Sequence, residues 1–121
     1  MAVRAIRGAT QIDADDRDQV LEATAELVRE VLTRNGLTSD EVISVILTAT
    51  PDVVSEFPAY AARQAGLDDV PLLSATEMAV PGAMPRVIRL MAHVDTDLPR
   101  AEVKHVYLRG AAGLRTDLKQ Q

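Results

Sequence analysis

The spacing of apolar positions divides the chain into a small set of elements. Over residues 2–10 the pattern alternates with a period of two, as in a strand with unlike faces, and it ends at Gly8-Ala9-Thr10. Asp13, Asp15 and Asp16 then supply the N-cap chemistry of a helix. Val20, Leu21, Thr24, Leu27, Val28, Val31 and Leu32 share one face of a 3.6-residue period, and Asn35-Gly36 provides the stop. From Val42 to Ala49 the chain is almost continuous in β-branched and aliphatic residues, which predicts a central strand covered on both faces; Thr50-Pro51-Asp52 follows as a loop.

Pro58 at a first helical position, an alanine-rich run to Ala65 and Gly66 beyond it predict a short helix. Val70 to Ser74 predicts a short strand, and Val80-Pro81-Gly82-Ala83 a loop. Residues 86–94 fit helical periodicity too, but a strand sorts them more cleanly. It places Val87, Arg89, Met91 and His93 on one face and Ile88, Leu90, Ala92 and Val94 on the other. After a turn at Asp95-Thr96-Asp97-Leu98-Pro99, Val103 to Leu108 alternates again with His105 and Tyr107 on one face, and the segment from Gly110 is expected to be a mobile tail. The sum is an α+β domain over residues 1–121: a mixed five-stranded sheet with one long and one short helix on one face. Two helices cover only one side of such a sheet, so self-association is expected to cover the other.

Composition narrows the chemistry. The chain is 47% hydrophobic but 2% aromatic, so aliphatic residues build the interior and Phe57, Tyr60 and Tyr107 stand out. A net charge of −5 without a basic stripe argues against nucleic acid as partner. The absence of cysteine excludes disulfides, thiolate nucleophiles and cysteine-based zinc sites. Arg4 and Arg7 interrupt any signal-peptide core, and no apolar run approaches the roughly 20 residues that span a bilayer, so a cytoplasmic location without membrane association is expected. His93 and His105 lack a third partner at metal-binding spacing, and the Asp13, Asp15, Asp16 cluster lacks the glycine and bidentate glutamate of a calcium loop; no metal or cofactor is expected.

Two arginines break the apolar pattern. Arg89 lies inside Val87-Ile88-Arg89-Leu90-Met91-Ala92, and Arg7 shares a strand face with Val3, Ala5 and Ala9. A guanidinium keeps its charge at physiological pH, so a half-buried one must face a carboxylate, a phosphate or a water-filled cleft.

At Arg7-Gly8-Ala9-Thr10, Thr50-Pro51-Asp52, Phe57-Pro58-Ala59, Glu77-Met78, the Arg89 strand, His105-Val106-Tyr107-Leu108 and Leu114-Arg115, the chain resembles the trimeric, AroH-type chorismate mutases from end to end. The resemblance implies a homotrimer whose sheets pack as a pseudo-α/β-barrel with clefts between neighbouring subunits. It also implies the [3,3] rearrangement of chorismate to prephenate, on the route to phenylalanine and tyrosine. Arg89 matches the family's arginine at the ether oxygen, and Arg7 would bind further negative charge. Tyr107 would hold a side-chain carboxylate, and Glu77 would accept from the substrate hydroxyl near developing positive charge. Phe57 and Leu114 would wall the pocket, with Arg63 and Arg115 at its mouth. Ser74 stands where the family can have a cysteine, and Tyr60 where it can have an entrance lysine, which shifts attraction of the dianion toward Arg63 and Arg115.

Two other functions fit parts of the pattern. Trimeric enamine/imine deaminases bind carboxylates with an interfacial arginine, but their signature sequences are absent. A non-catalytic binder of small carboxylates needs only the positive cleft.

Overall fold

The computed structural model describes residues 1–114. Strand β1 (Ala2–Gln11) leads to helix α1 (Arg17–Arg34), and strand β2 (Val42–Ala49) follows a single 3₁₀ turn at Ser39–Glu41. Helix α2 (Pro58–Ala62) continues into a wider turn at Arg63–Leu67, after which come β3 (Leu72–Thr76), β4 (Val87–Thr96) and β5 (Val106–Tyr107). The sheet runs β3-β2-β4-β1-β5, with β4 antiparallel to β1 and β2, β3 parallel to β2, and β5 parallel to β1.

Local chemistry sets both ends of α1. The Asp16 carboxylate accepts the Gln19 N–H at 3.2 Å, satisfying one of the donors that a helix start leaves unpaired. At the other end Gly36 takes φ +64°, open to glycine at little cost, and the Gly36 and Leu37 N–H groups return to the carbonyls of Thr33 and Leu32. Between these caps Val20, Ala23, Thr24, Leu27, Val28 and Val31 are buried. Leu27, Val28 and Val31 pack on the sheet face formed by Ile6, Val45, Leu47, Leu90, Ala92, Val94 and Val106, while Val20 and Ala23 pack with Ile12 and Ile88. The helix can lie that close because residue 8 is glycine: a Cβ there would sit 3.2 Å from Leu27 Cδ1 and 3.3 Å from Leu90.

The opposite sheet face is open. Val3, Ile46, Leu73 and Met91 are exposed on it, so β2 is covered on one side and not on both. A continuous apolar run marks a strand as buried without saying which molecule covers its second face. Nor is β2 central, since that place belongs to β4. Strand β3 begins two residues later than its β-branched start suggests, because the Pro71 carbonyl, not an N–H, meets the sheet by accepting from Val45 N–H. The expected six-residue last strand shrinks to Val106–Tyr107, since only Gly8 and Ala9 of β1 pair with it. The segment from Gly110 is packed where described: a 3₁₀ turn spans Arg109–Gly113 and Ala111 is fully buried against Ala9, Val87 and Tyr107. Among the described residues no helix is long and apolar enough to cross a membrane.

Leu27 is central to the helix-on-sheet contact and has no solvent exposure. Leu27→Ala is expected to lower unfolding free energy by about 2–5 kcal/mol in denaturant titration. A loss below roughly 1 kcal/mol would mean that α1 is not seated on the sheet as described.

Candidate active site

Strand register brings the two anomalous arginines together. Arg89 lies opposite Ala9 on one side and Thr48 on the other, while Arg7 lies opposite Met91, so the two cations are diagonal neighbours on the open face. Parallel pairing of Tyr107 with Ala9 adds the phenol to that face. Glu77, just past β3, is tied to β2 by its N–H on the Ala49 carbonyl, and its carboxylate accepts from the Thr48 hydroxyl. Arg7, Arg89, Glu77 and Tyr107 thus line one cavity of about 270 Å³, together with Thr48, Ile46 and Met91.

The charges there do not cancel. Two guanidiniums face one carboxylate in a chain whose net charge is −5. Arg89 Nε is 3.6 Å from Glu77 Oε2, close enough for Coulomb attraction but too long for a hydrogen bond. This Nε is buried and has no hydrogen-bond partner among the described residues. A buried donor left without a partner is unfavourable by about 1–3 kcal/mol, a cost that an acceptor oxygen placed there would relieve.

Its position is secured from behind. Thr50 N–H donates to the Val87 carbonyl, and the Thr50 hydroxyl accepts the Val87 N–H at 3.0 Å, closing the end of β4 two residues before Arg89. Asp52 accepts the Arg86 N–H at 3.1 Å, stabilising Arg86 at φ +52°, a conformation uncommon for a residue with a side chain. Thr50-Pro51-Asp52 is therefore a clamp on β4 rather than a plain loop. Asn35 does the same for Tyr107. Its side chain donates to the Lys104 carbonyl at 3.0 Å and accepts the Lys104 N–H at 2.8 Å, fixing the approach to β5. Sequence pattern identified Asn35 only as a helix stop and missed Thr48 altogether. An amide cannot be assigned a partner 69 residues away without the fold.

The remaining candidates lie elsewhere. Phe57 and Ser74 line a separate cavity of about 500 Å³ between the 49–58 segment and β3. Phe57 is 70% exposed, so it is not the packed staple that could explain a phenylalanine before Pro58. Tyr60 on α2 and Arg63 at the start of the turn that follows sit together, with the Arg63 guanidinium 6.0 Å and that of Arg17 5.8 Å from the Tyr60 ring. Leu114 packs with the cluster of Ala9, Val87, Tyr107 and Ala111 behind the first cavity, and Arg115 lies outside the described residues. The histidines have other partners: His93 Nδ1 is 3.4 Å from Ser44 Oγ, and His105 Nδ1 accepts the Arg7 N–H at 3.0 Å. Among the described residues no three potential ligands cluster.

The order of these blocks is matched by a family. The model for chorismate mutase type I covers residues 3–118. The chain belongs to that family. It is 51% identical over 118 residues to the chorismate mutase AroH of Thermus thermophilus, with 97% of each chain covered. To chorismate mutase AroH of Bacillus subtilis (strain 168) it is 38% identical over 119 residues, covering 98% of this chain and 94% of that one. In structure it resembles a chorismate mutase from Clostridium thermocellum with a TM-score of 0.88 and 42% identity, over 90% of this chain and 97% of the other. The α+β sheet predicted from sequence is that of the family.

The loop carrying Phe57 is held by carboxylates. Asp15 accepts the Val54 and Ser55 N–H groups at 3.1 Å, and the Ser55 hydroxyl with these amides holds its carboxyl below the ordinary aspartate range. Glu56 is lowered likewise, by the Phe57 N–H first and then by Arg17, whose Nε is 2.9 Å away. A depressed carboxyl stabilises the folded loop above its unfolded pKa and loses that contribution as pH falls through the folded value. Amide NMR signals of Val54 and Ser55 are therefore expected to move only below the ordinary carboxylate range, and Asp15→Asn should abolish that movement. Inflections at or above the ordinary range would disprove the anchor.

Proposed function

We propose that the chain is a chorismate mutase that rearranges chorismate to prephenate at the cavity of Arg7, Arg89, Glu77 and Tyr107. The observation that carries this reading is the buried Nε of Arg89, which no described residue partners, beside a cavity whose described lining holds two guanidiniums and one carboxylate. In the reaction one C–O bond breaks as a C–C bond forms within a single molecule. No proton, electron or group passes to the enzyme, so the catalyst must fold a flexible dianion and stabilise charge that appears only in the transition state. Negative charge grows on the ether oxygen. A preorganised guanidinium meets it without reorganisation, and such electrostatic stabilisation is strongest where water is excluded.

In this assignment Arg89 donates to the ether oxygen and a carboxylate, Arg7 binds further negative charge, and the Tyr107 hydroxyl donates to the side-chain carboxylate. Glu77, whose carboxylate accepts from the Thr48 hydroxyl, takes the substrate hydroxyl and faces the carbons where positive charge develops. Chemistry of this kind requires no cofactor, and a cytoplasmic location belongs to the same proposal.

Assembly completes the site. Phe57, Ser74, Tyr60 and Arg63 do not line the Arg89 cavity of their own chain, and the face carrying that cavity is apolar and open. Both facts support a homotrimer in which one copy's Phe57 and Ser74 wall and its Arg63 and Tyr60 flank meet the next copy's arginines, with Leu114 behind Tyr107 and Arg115 near the mouth. Light scattering is expected to return three times the 13.1 kDa chain mass. A fully active monomer would eliminate the shared cleft.

The decisive assay is loss of chorismate absorbance on adding purified protein. Wild type should turn over. Arg89→Ala should cost on the order of 10²–10³ in kcat/KM, and Arg89→Lys should recover only part of it because an ammonium lacks the planar fork. Binding without turnover in the wild type would leave a carboxylate-binding protein instead.

A further inference from the structure

The chain holds a single asparagine, Asn35, and glycine follows it. In such a pair the glycine backbone nitrogen, with no neighbouring side chain to hinder it, can attack the asparagine Cγ. A C–N bond forms, the amide nitrogen leaves as ammonia, and water then opens the resulting succinimide at either carbonyl to give aspartate or isoaspartate. Water is consumed and ammonia released; nothing else is exchanged. The native fold occupies the atoms this reaction needs. Asn35 is 7% exposed, and its Nδ2 donates to the Val31 carbonyl at 2.8 Å and to the Lys104 carbonyl at 3.0 Å, while its Oδ1 accepts the Lys104 N–H at 2.8 Å. The attacking group is engaged as well. Gly36 N–H donates to the Thr33 carbonyl at 3.2 Å, in a turn that the Leu37 N–H closes on the Leu32 carbonyl at 2.9 Å. Cyclisation requires these bonds to break together, which means parting the end of α1 from Lys104.

We propose that Asn35-Gly36 is a deamidation site kept closed by the native fold, so that modification follows each opening of the α1 end and its product cannot close that end again. An ionised carboxylate has no hydrogen to donate. The Val31 and Lys104 carbonyls, both satisfied by the carboxamide, would face an anion instead, at a helix C-terminus whose dipole already disfavours negative charge. Isoaspartate would also lengthen the backbone at the cap. Lys104 lies three residues before Tyr107, so releasing it loosens the approach to β5. An effect on turnover rests on the chorismate mutase proposal; the modification and its cost in stability do not.

The test holds full-length wild type at mildly alkaline pH in buffer and in guanidinium chloride, with the peptide spanning residue 35 followed by mass spectrometry and assayed for isoaspartate. Deamidation is expected to run about tenfold or more slower in buffer, because cyclisation waits on local opening. In denaturant Gly36→Ala should slow the reaction too, since a Cβ hinders the attacking nitrogen. Asn35→Asp, the product made directly, should unfold at lower denaturant than wild type or fail to fold, and where folded should show a lower kcat/KM for chorismate. No deamidation in denaturant, or equal rates in the two conditions, would overturn the proposal. So would an Asn35→Asp chain as stable as wild type. Unchanged kcat/KM in a folded but destabilised Asn35→Asp would disprove the link to Tyr107, whereas absent turnover by wild type would remove the mutase reading and leave the modification site standing.

Discussion

An arginine cannot escape its charge by releasing a proton, and a sheet face of Val, Ile, Ala and Met offers it little solvation. Arg89 meets this constraint with one carboxylate at ion-pair distance and one buried nitrogen that no described residue satisfies. Much of the surrounding structure serves to keep the guanidinium there. Thr50 and Asp52 lock the start of its strand, Thr48 holds its counter-charge, and Gly8 lets the long helix press against the sheet from behind. Stability stored in the helix face thus maintains an electrostatically unsatisfied opposite face, the division of labour expected where function needs a strained local environment.

The two sides of the sheet therefore do different work. One is closed by α1 and α2 through close-packed aliphatic contact, with no aromatic residue among the largest fully buried side chains. The other carries the arginines, both histidines, Tyr107 and several exposed apolar residues. Membership of the type I chorismate mutase family gives this asymmetry a meaning. A rearrangement that exchanges nothing with its catalyst asks for rigid donors and a shaped cavity, which a β-sheet supplies better than loops because paired backbone fixes each side chain.

Much of this was legible in the residues because it depended on periodicity. The α1 stripe, its Asp16 and Asn35-Gly36 ends, the two faces of β4 and the placement of Arg7 follow from periods of 3.6 and 2, and the observed elements agree. Where pairing partners decided the outcome, pattern failed. Val103 to Leu108 alternates as a strand should, yet only two residues find a ladder; Ala111, expected in a mobile tail, is buried. Local propensity cannot report how much of a neighbouring strand remains available.

The candidate site divides along the same line. Sequence by itself determined that two permanent cations would stand in apolar strands, that an anion must answer them, and, through the resemblance, which residues to examine. Only the tertiary structure decided that Arg7, Arg89, Glu77 and Tyr107 share one cavity while Phe57 and Ser74 line another, and that Asn35, Thr48 and Thr50 hold the first in place. Side-chain direction within an element is a local property set by backbone geometry, whereas proximity between elements depends on strand order and register, which the whole fold selects at once.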